Sequence, residues 1–95
     1  MAKFTTRILL ENGTESDYEQ LHTAMERAGF SRFIKSDDGR KFRMPWAEYN
    51  FDGSASLDQV LETANLAATS TGNQFSVLVT EAVARQWLNL REVRV

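Results

Sequence analysis

The stretch GFSRFIKSDDGRKFRMPWAEYNFD, Gly29 to Asp52, decides how the remainder of the chain reads. Phe30 to Ser36 has strand character, with Phe33 and Ile34 on opposite faces, and Asp37-Asp38-Gly39 is a strong turn. Pro45 cannot donate to a ladder in a central strand, so the return divides. Arg40 to Met44 continues a projecting ribbon, and Trp46 to Asp52 enters a sheet with Ala47, Tyr49 and Phe51 on its inner face. Five of the eleven basic residues, Arg32, Lys35, Arg40, Lys41 and Arg43, lie on this arm.

Outward from the arm, each flank reads as strand and helix. Phe4 to Glu11 alternates, with Phe4, Thr6, Ile8 and Leu10 on one face, and Asn12-Gly13 ends it. Ser16 and Glu19 have the spacing of a capping box, with Thr14 as an alternative cap, and Tyr18, Leu21, Met25 and Ala28 form an apolar stripe. Gly29 closes that helix in the left-handed region. Beyond the arm, Ser56 and Gln59 box a second helix whose buried stripe includes Leu57, Val60, Leu61 and Ala64. Gln74 to Thr80 is a fourth strand, and Thr80 is expected to cap a short terminal helix aligning Val83, Trp87 and Leu90. The order predicts an α+β, ferredoxin-like βαββαβ fold. Its expected form is an antiparallel four-stranded sheet with two helices on one face plus a short C-terminal helix.

Composition narrows the function classes. Ninety-five residues make one domain, 1–95, and 42% apolar content suffices for one core. A net charge of -2 argues against general polyanion binding, so any nucleic-acid contact must be local. The absence of cysteine removes disulfides, thiolate catalysis and Cys-type zinc sites, and fits a reducing cytoplasm. The apolar run before Glu11 is too short for a signal peptide, and no segment approaches the ~20 apolar residues of a membrane span.

Few residues carry chemistry. His22 is the single histidine, at the border of the first helix's apolar stripe. It reads either as a packed border residue or as a general acid or base, since an ordinary pKa of about 6.5 suits proton transfer near neutral pH. Asp37 and Asp38 are better explained as turn formers and Asp52 as the loop into the second helix, so no metal and no cofactor are expected. The glycines sit at element ends, and no phosphate-cradling glycine motif occurs. The basic arm is the best candidate surface, its charges on phosphate and Phe42, Trp46 or Tyr49 near enough to stack on bases. The competing reading is edge-strand charge that prevents aggregation.

Several local features together resemble the GhoS-type antitoxin family. They are the short chain and its ferredoxin-like order, Gly29-Phe30-Ser31 closing the first helix into the second strand, the Ser36 to Gly39 turn, the Tyr49-Asn50-Phe51 strand leading to Ser56 to Leu61, and the Thr80 start of a terminal Ala84 to Trp87 helix. The resemblance implies a type V toxin–antitoxin system, in which a small cytoplasmic endoribonuclease destroys the single-stranded messenger RNA of a membrane-acting toxin. RNA is then the partner, with no DNA and no membrane, and the protein a monomer or weak homodimer. Metal-free cleavage would proceed by attack of the RNA's own 2′-OH. His22 and Arg43 are the expected catalytic pair, and Arg32, Lys35, Arg40 and Lys41 the RNA-binding residues. The alternative is a noncatalytic module that binds RNA or a protein partner through an open sheet edge or the Trp87 segment.

Overall fold

β1, Ala2–Leu10, lies at the centre of a three-stranded antiparallel sheet, between β4, Glu48–Gly53, and β5, Phe75–Ala82, in a computed structural model that describes residues 2–93. The alternation read from the sequence holds, since Phe4, Thr6, Ile8 and Leu10 are all buried. Register sets Tyr49 and Val79 opposite Thr6 and places Val77 opposite Ile8, which continues that inner face across the sheet. Two helices cover it, α1, Glu15–Arg27, and α2, Leu57–Thr69. Leu21 and Met25 from α1 and Val60, Ala64 and Ala68 from α2 meet Phe4, Ile8 and Tyr49 in one core cluster. Each fully buried large apolar side chain there contributes about 1.5–3 kcal/mol. On α2 the core is lined by the small Ala64, Ala67 and Ala68, and the strands supply the aromatic bulk with Phe4 and Tyr49.

Local chemistry sets the helix ends. Ser56 Oγ accepts from the Gln59 amide and the Gln59 side chain accepts from the Ser56 amide, the box expected for α2. On α1 the alternative cap is used: Thr14 boxes with Asp17, and Ser16 is already inside the helix. Gly29 follows with φ 98°, a value that only glycine adopts without strain. Gly13 has a different constraint, because a Cβ there would meet Leu10 Cβ at 2.8 Å and the Tyr18 ring at 2.9 Å. Replacing Ser56 by alanine is expected to cost about 1 kcal/mol, read as a lower urea midpoint with unchanged slope.

Two expectations need correction. The first is the single four-stranded sheet. β2, Phe33–Lys35, pairs with β3, Lys41–Arg43, and β3 with β6, Glu92–Val93, to make a second three-stranded antiparallel sheet. The arm touches the larger sheet by one bridge, Ser31 with Asn50. Two residues on, the Phe33 amide donates to Ser31 Oγ at 3.0 Å and is lost to any continued ladder with β4. Pro45 then breaks the return as expected. The Glu48 amide donates to the Pro45 carbonyl, Ala47 takes φ 63°, and the sheet strand starts at Glu48 instead of Trp46.

The second correction concerns the terminal helix. Thr80 caps nothing; it lies inside β5, opposite Thr5, and the ladder continues to Ala82 against Lys3. Residues 83–91 contain no helix, and the chain ends its described course in β6. A helix of two turns is marginal alone, whereas pairing with β1 satisfies the same backbone groups at once.

Thr6 Oγ1 is buried and meets no hydrogen-bond partner among the described residues. Thr6→Val keeps the shape and removes the orphaned hydroxyl. It should raise stability by up to about 1 kcal/mol in a urea titration.

Candidate nucleic-acid interface

The helix-free face of the larger sheet carries Lys3, Thr5 and Arg7 on β1, with Asp52, Asn50 and Glu48 opposite them on β4 and Ala82, Thr80 and Leu78 on β5. Arg85 reaches this face from the segment that follows β5. Its Nη1 donates to Thr5 Oγ1 at 3.0 Å and to Asn50 Oδ1 at 2.9 Å, and Asn50 in turn donates to Asp52 at 3.1 Å. Burial pulls the guanidinium below the ordinary arginine range and Asp52 opposes that shift. The network pins the segment 83–87 over the sheet.

Two residues on, Trp87 packs against Phe42 of β3, ring centroids 5.5 Å apart at 56°. The pinned segment, the end of the larger sheet and the tip of the arm thus enclose a groove of about 580 Å³. Lys3, Lys35, Arg40 and Arg85 line it together with Phe42 and Trp87, and Asp37 is the one carboxylate in its wall among the described residues. Cations around paired aromatic rings can hold phosphate and a stacked base at once.

The five expected basic residues do not share one surface. Lys35 stands opposite Lys41 and Phe33 opposite Arg43, so these four lie on one face of the arm and Ile34 and Phe42 on the other. Arg43 lies 5.7 Å over the Phe33 ring. Arg40 lies over Phe42 at 5.4 Å and is matched by carboxylates, Asp38 at 3.0 Å and Glu92 at 3.8 Å. The Ser36 hydroxyl, with the Arg40 amide, holds the Asp38 carboxyl below the usual range. No ion pair reaches Arg32, Lys35, Lys41 or Arg43 among the described residues.

Arg32 belongs to a different cluster. Its guanidinium sits 5.8 Å over Trp46, whose ring meets His22 edge-on at 4.8 Å and Tyr18 at 5.7 Å. Beneath Trp46 the imidazole is 2% exposed, its Nδ1 hydrogen-bonded to the Tyr49 hydroxyl at 2.7 Å and its Nε2 buried without a partner among the described residues. Neither ring nitrogen is presented to solvent. Burial first, then Arg32 and Arg43, pull the His22 pKa below its ordinary value, with Glu19 opposing. Burial also pushes the Tyr49 hydroxyl well above the usual phenol range, which keeps it neutral.

Sequence reasoning did not single out Lys3 and Arg85, because nothing local marks either as part of a site. Their convergence depends on β1 and β5 pairing at one end. Among the described residues no group of three or more histidine, aspartate or glutamate side chains is placed to hold a metal, and no helix is long and apolar enough to cross a membrane. No family model matches the chain, and no curated protein matches it in sequence.

Proposed function

We propose that this protein is a small RNA-directed antitoxin that takes single-stranded RNA into the groove between the arm and the 83–87 segment. One observation carries the reading: Lys3, Lys35, Arg40 and Arg85 line the same groove of about 580 Å³ as the paired rings of Phe42 and Trp87. Double-stranded RNA fits less well, since bases must be unstacked to reach an aromatic platform. The GhoS-type resemblance supplies the biological setting, a toxin messenger RNA in the cytoplasm, and a ferredoxin-like ancestry is consistent with the Ser31–Asn50 bridge joining the arm to β4.

Under the endoribonuclease reading, the RNA's 2′-OH attacks the adjacent phosphate and guanidinium groups stabilise the charge that develops. Arg43 is exposed, has no ion pair among the described residues and lies on the face of the arm opposite Phe42, so it can serve only a phosphate of RNA that continues out of the groove and round the arm. For His22 to move the proton, Trp46 must first swing off its ring, because both imidazole nitrogens are covered. That burial favours a second reading, in which the RNA is bound and left intact.

Incubating the purified protein with single-stranded RNA in EDTA tests both. Cleavage in chelator, abolished by Arg43→Ala, supports the endoribonuclease; intact RNA with a salt-dependent mobility shift supports binding alone; neither effect removes the RNA proposal. Replacing Lys35 by alanine should also flatten the dependence of log affinity on log salt by about 0.7, the change for one phosphate contact on a single strand.

A further inference from the structure

β5 is an edge strand whose outer side pairs with nothing among the described residues. Its sequence, FSVLVTEA, contains none of the usual defences of an edge: no proline, no lysine, and one charge, Glu81, near its end. The inner face of the sheet is also unfinished there. Phe4, Ile8 and Leu10 on β1 are sealed, but Phe75, Val77 and Val79 on β5 pack on the core while remaining partly exposed. On the helix-free side Leu78 is 64% exposed, beside Leu9 at 59%. Backbone donors and acceptors, half-covered core residues and an exposed leucine coincide on one strand.

We infer that this edge is an interface for a second copy of the chain, with two β5 strands pairing antiparallel about a two-fold axis through Leu78. The strand is complementary to itself in that register. Over its centre Leu78 meets its own copy, Val77 meets Val79 and Ser76 meets Thr80, so apolar faces apolar and hydroxyl faces hydroxyl there, and only at the two ends of the ladder does Phe75 meet Glu81. Centring on Val79 would instead set Thr80 against Leu78 and Glu81 against Val77. With the axis at Leu78, the two Glu81 carboxylates stand about 20 Å apart along the strands and do not repel. The product is a six-stranded sheet with its four helices on one face. Both grooves open on the other face, because Lys3 and Ala82 belong to the helix-free side, and the two Ala82 positions lie about 26 Å apart along the strands. Pairing is independent of the RNA proposal; joint use of two grooves by one strand of RNA rests on it.

The test uses the full chain without RNA. In sedimentation the wild type is expected to form a concentration-dependent dimer, and Leu78→Lys, a change at an exposed position, should be monomeric with an unchanged circular dichroism spectrum. Because the chain has no cysteine, Leu78→Cys should give a dimer with a short bismaleimide. Leu9→Cys should not, since its copies lie more than ~15 Å apart in this arrangement. A wild type that stays monomeric at every concentration, a dimer that survives Leu78→Lys, or equal crosslinking at both cysteines overturns the interface. A pyrimidine oligonucleotide spanning both grooves should then bind the wild type at least tenfold more tightly than Leu78→Lys, and a short one equally. Equal affinity for the long strand overturns the joint use of the grooves and leaves the dimer standing.

Discussion

Trp87→Ala is expected to weaken binding of a single-stranded oligonucleotide by roughly 5- to 150-fold, the consequence of losing about 1–3 kcal/mol of stacking from one base. The indole is positioned from two sides. Phe42 meets its ring across the groove, and Arg85, two residues earlier, is tied to Thr5 and Asn50. Trp87→Phe keeps an aromatic face and should recover most of the affinity, which separates stacking from a general loosening of the segment. The salt dependence should stay unchanged in both variants, because neither removes a cation. Fluorescence anisotropy at several salt concentrations gives affinity and slope together. An alanine variant that binds like the wild type would detach the aromatic pair from RNA binding.

Acid should destabilise the protein through His22. In the unfolded chain the imidazole titrates near its ordinary value of 6.5, whereas in the fold burial, with Arg32 and Arg43, holds its pKa lower. Between those two values the unfolded chain binds a proton that the native protein does not. Stability is therefore full above about pH 6.5 and falls as pH drops below it, until native His22 also protonates, at no more than about 1.4 kcal/mol per pH unit. Urea titrations from pH 7.5 to 5.5, followed by tryptophan fluorescence because Trp46 lies against the ring, should show the decline. His22→Gln preserves a hydrogen-bonding group toward Tyr49 and cannot take up the proton, so its stability should be nearly flat over the same range. An equal decline in that variant would place the sensitivity elsewhere. Asp17 and Asp38 do not confuse the window, since both are held below the usual carboxylate range.

Tests of the groove and of His22 concern separate regions. Arg40 illustrates why the arm cannot be treated as one undivided basic patch: its charge is matched by Asp38 and Glu92, while Lys35 and Lys41 are free of ion pairs among the described residues. Phosphate approaching the arm would meet the lysines and Arg43 first. Arg32 serves Trp46 and lies over the histidine cluster, so its loss should affect stability and the His22 titration more than RNA affinity.

Much of the fold was legible because it follows from short-range rules. The period-two burial of Phe4 to Leu10, the Ser56–Gln59 box, the left-handed Gly29, the Asp37 to Gly39 turn and the division at Pro45 each depend on a few neighbouring residues. The Ser16 and Thr14 caps competed locally, and the helix starts two residues earlier with Thr14 boxed to Asp17. The terminal helix failed because its apolar spacing was a local signal overruled by a distant strand. Thr80 to Ala82 pair with Thr5 to Lys3, more than seventy residues away, and no window of sequence contains both partners.

By itself, the sequence determined an α+β chain, the inner faces of β1, β4 and α1, and the basic character of its arm, whereas on α2 it placed Leu57 and Leu61 in the buried stripe and both are exposed, at 44% and 43%. Those properties depend on side-chain periodicity and turn chemistry, which act over a few residues. Only the tertiary structure decided that the arm would leave the main sheet, that His22 would be sealed beneath Trp46, and that Lys3 and Arg85 would meet Phe42 and Trp87 around one groove. Each of those outcomes depends on which strand edges find partners, a competition settled among backbone groups far apart along the chain.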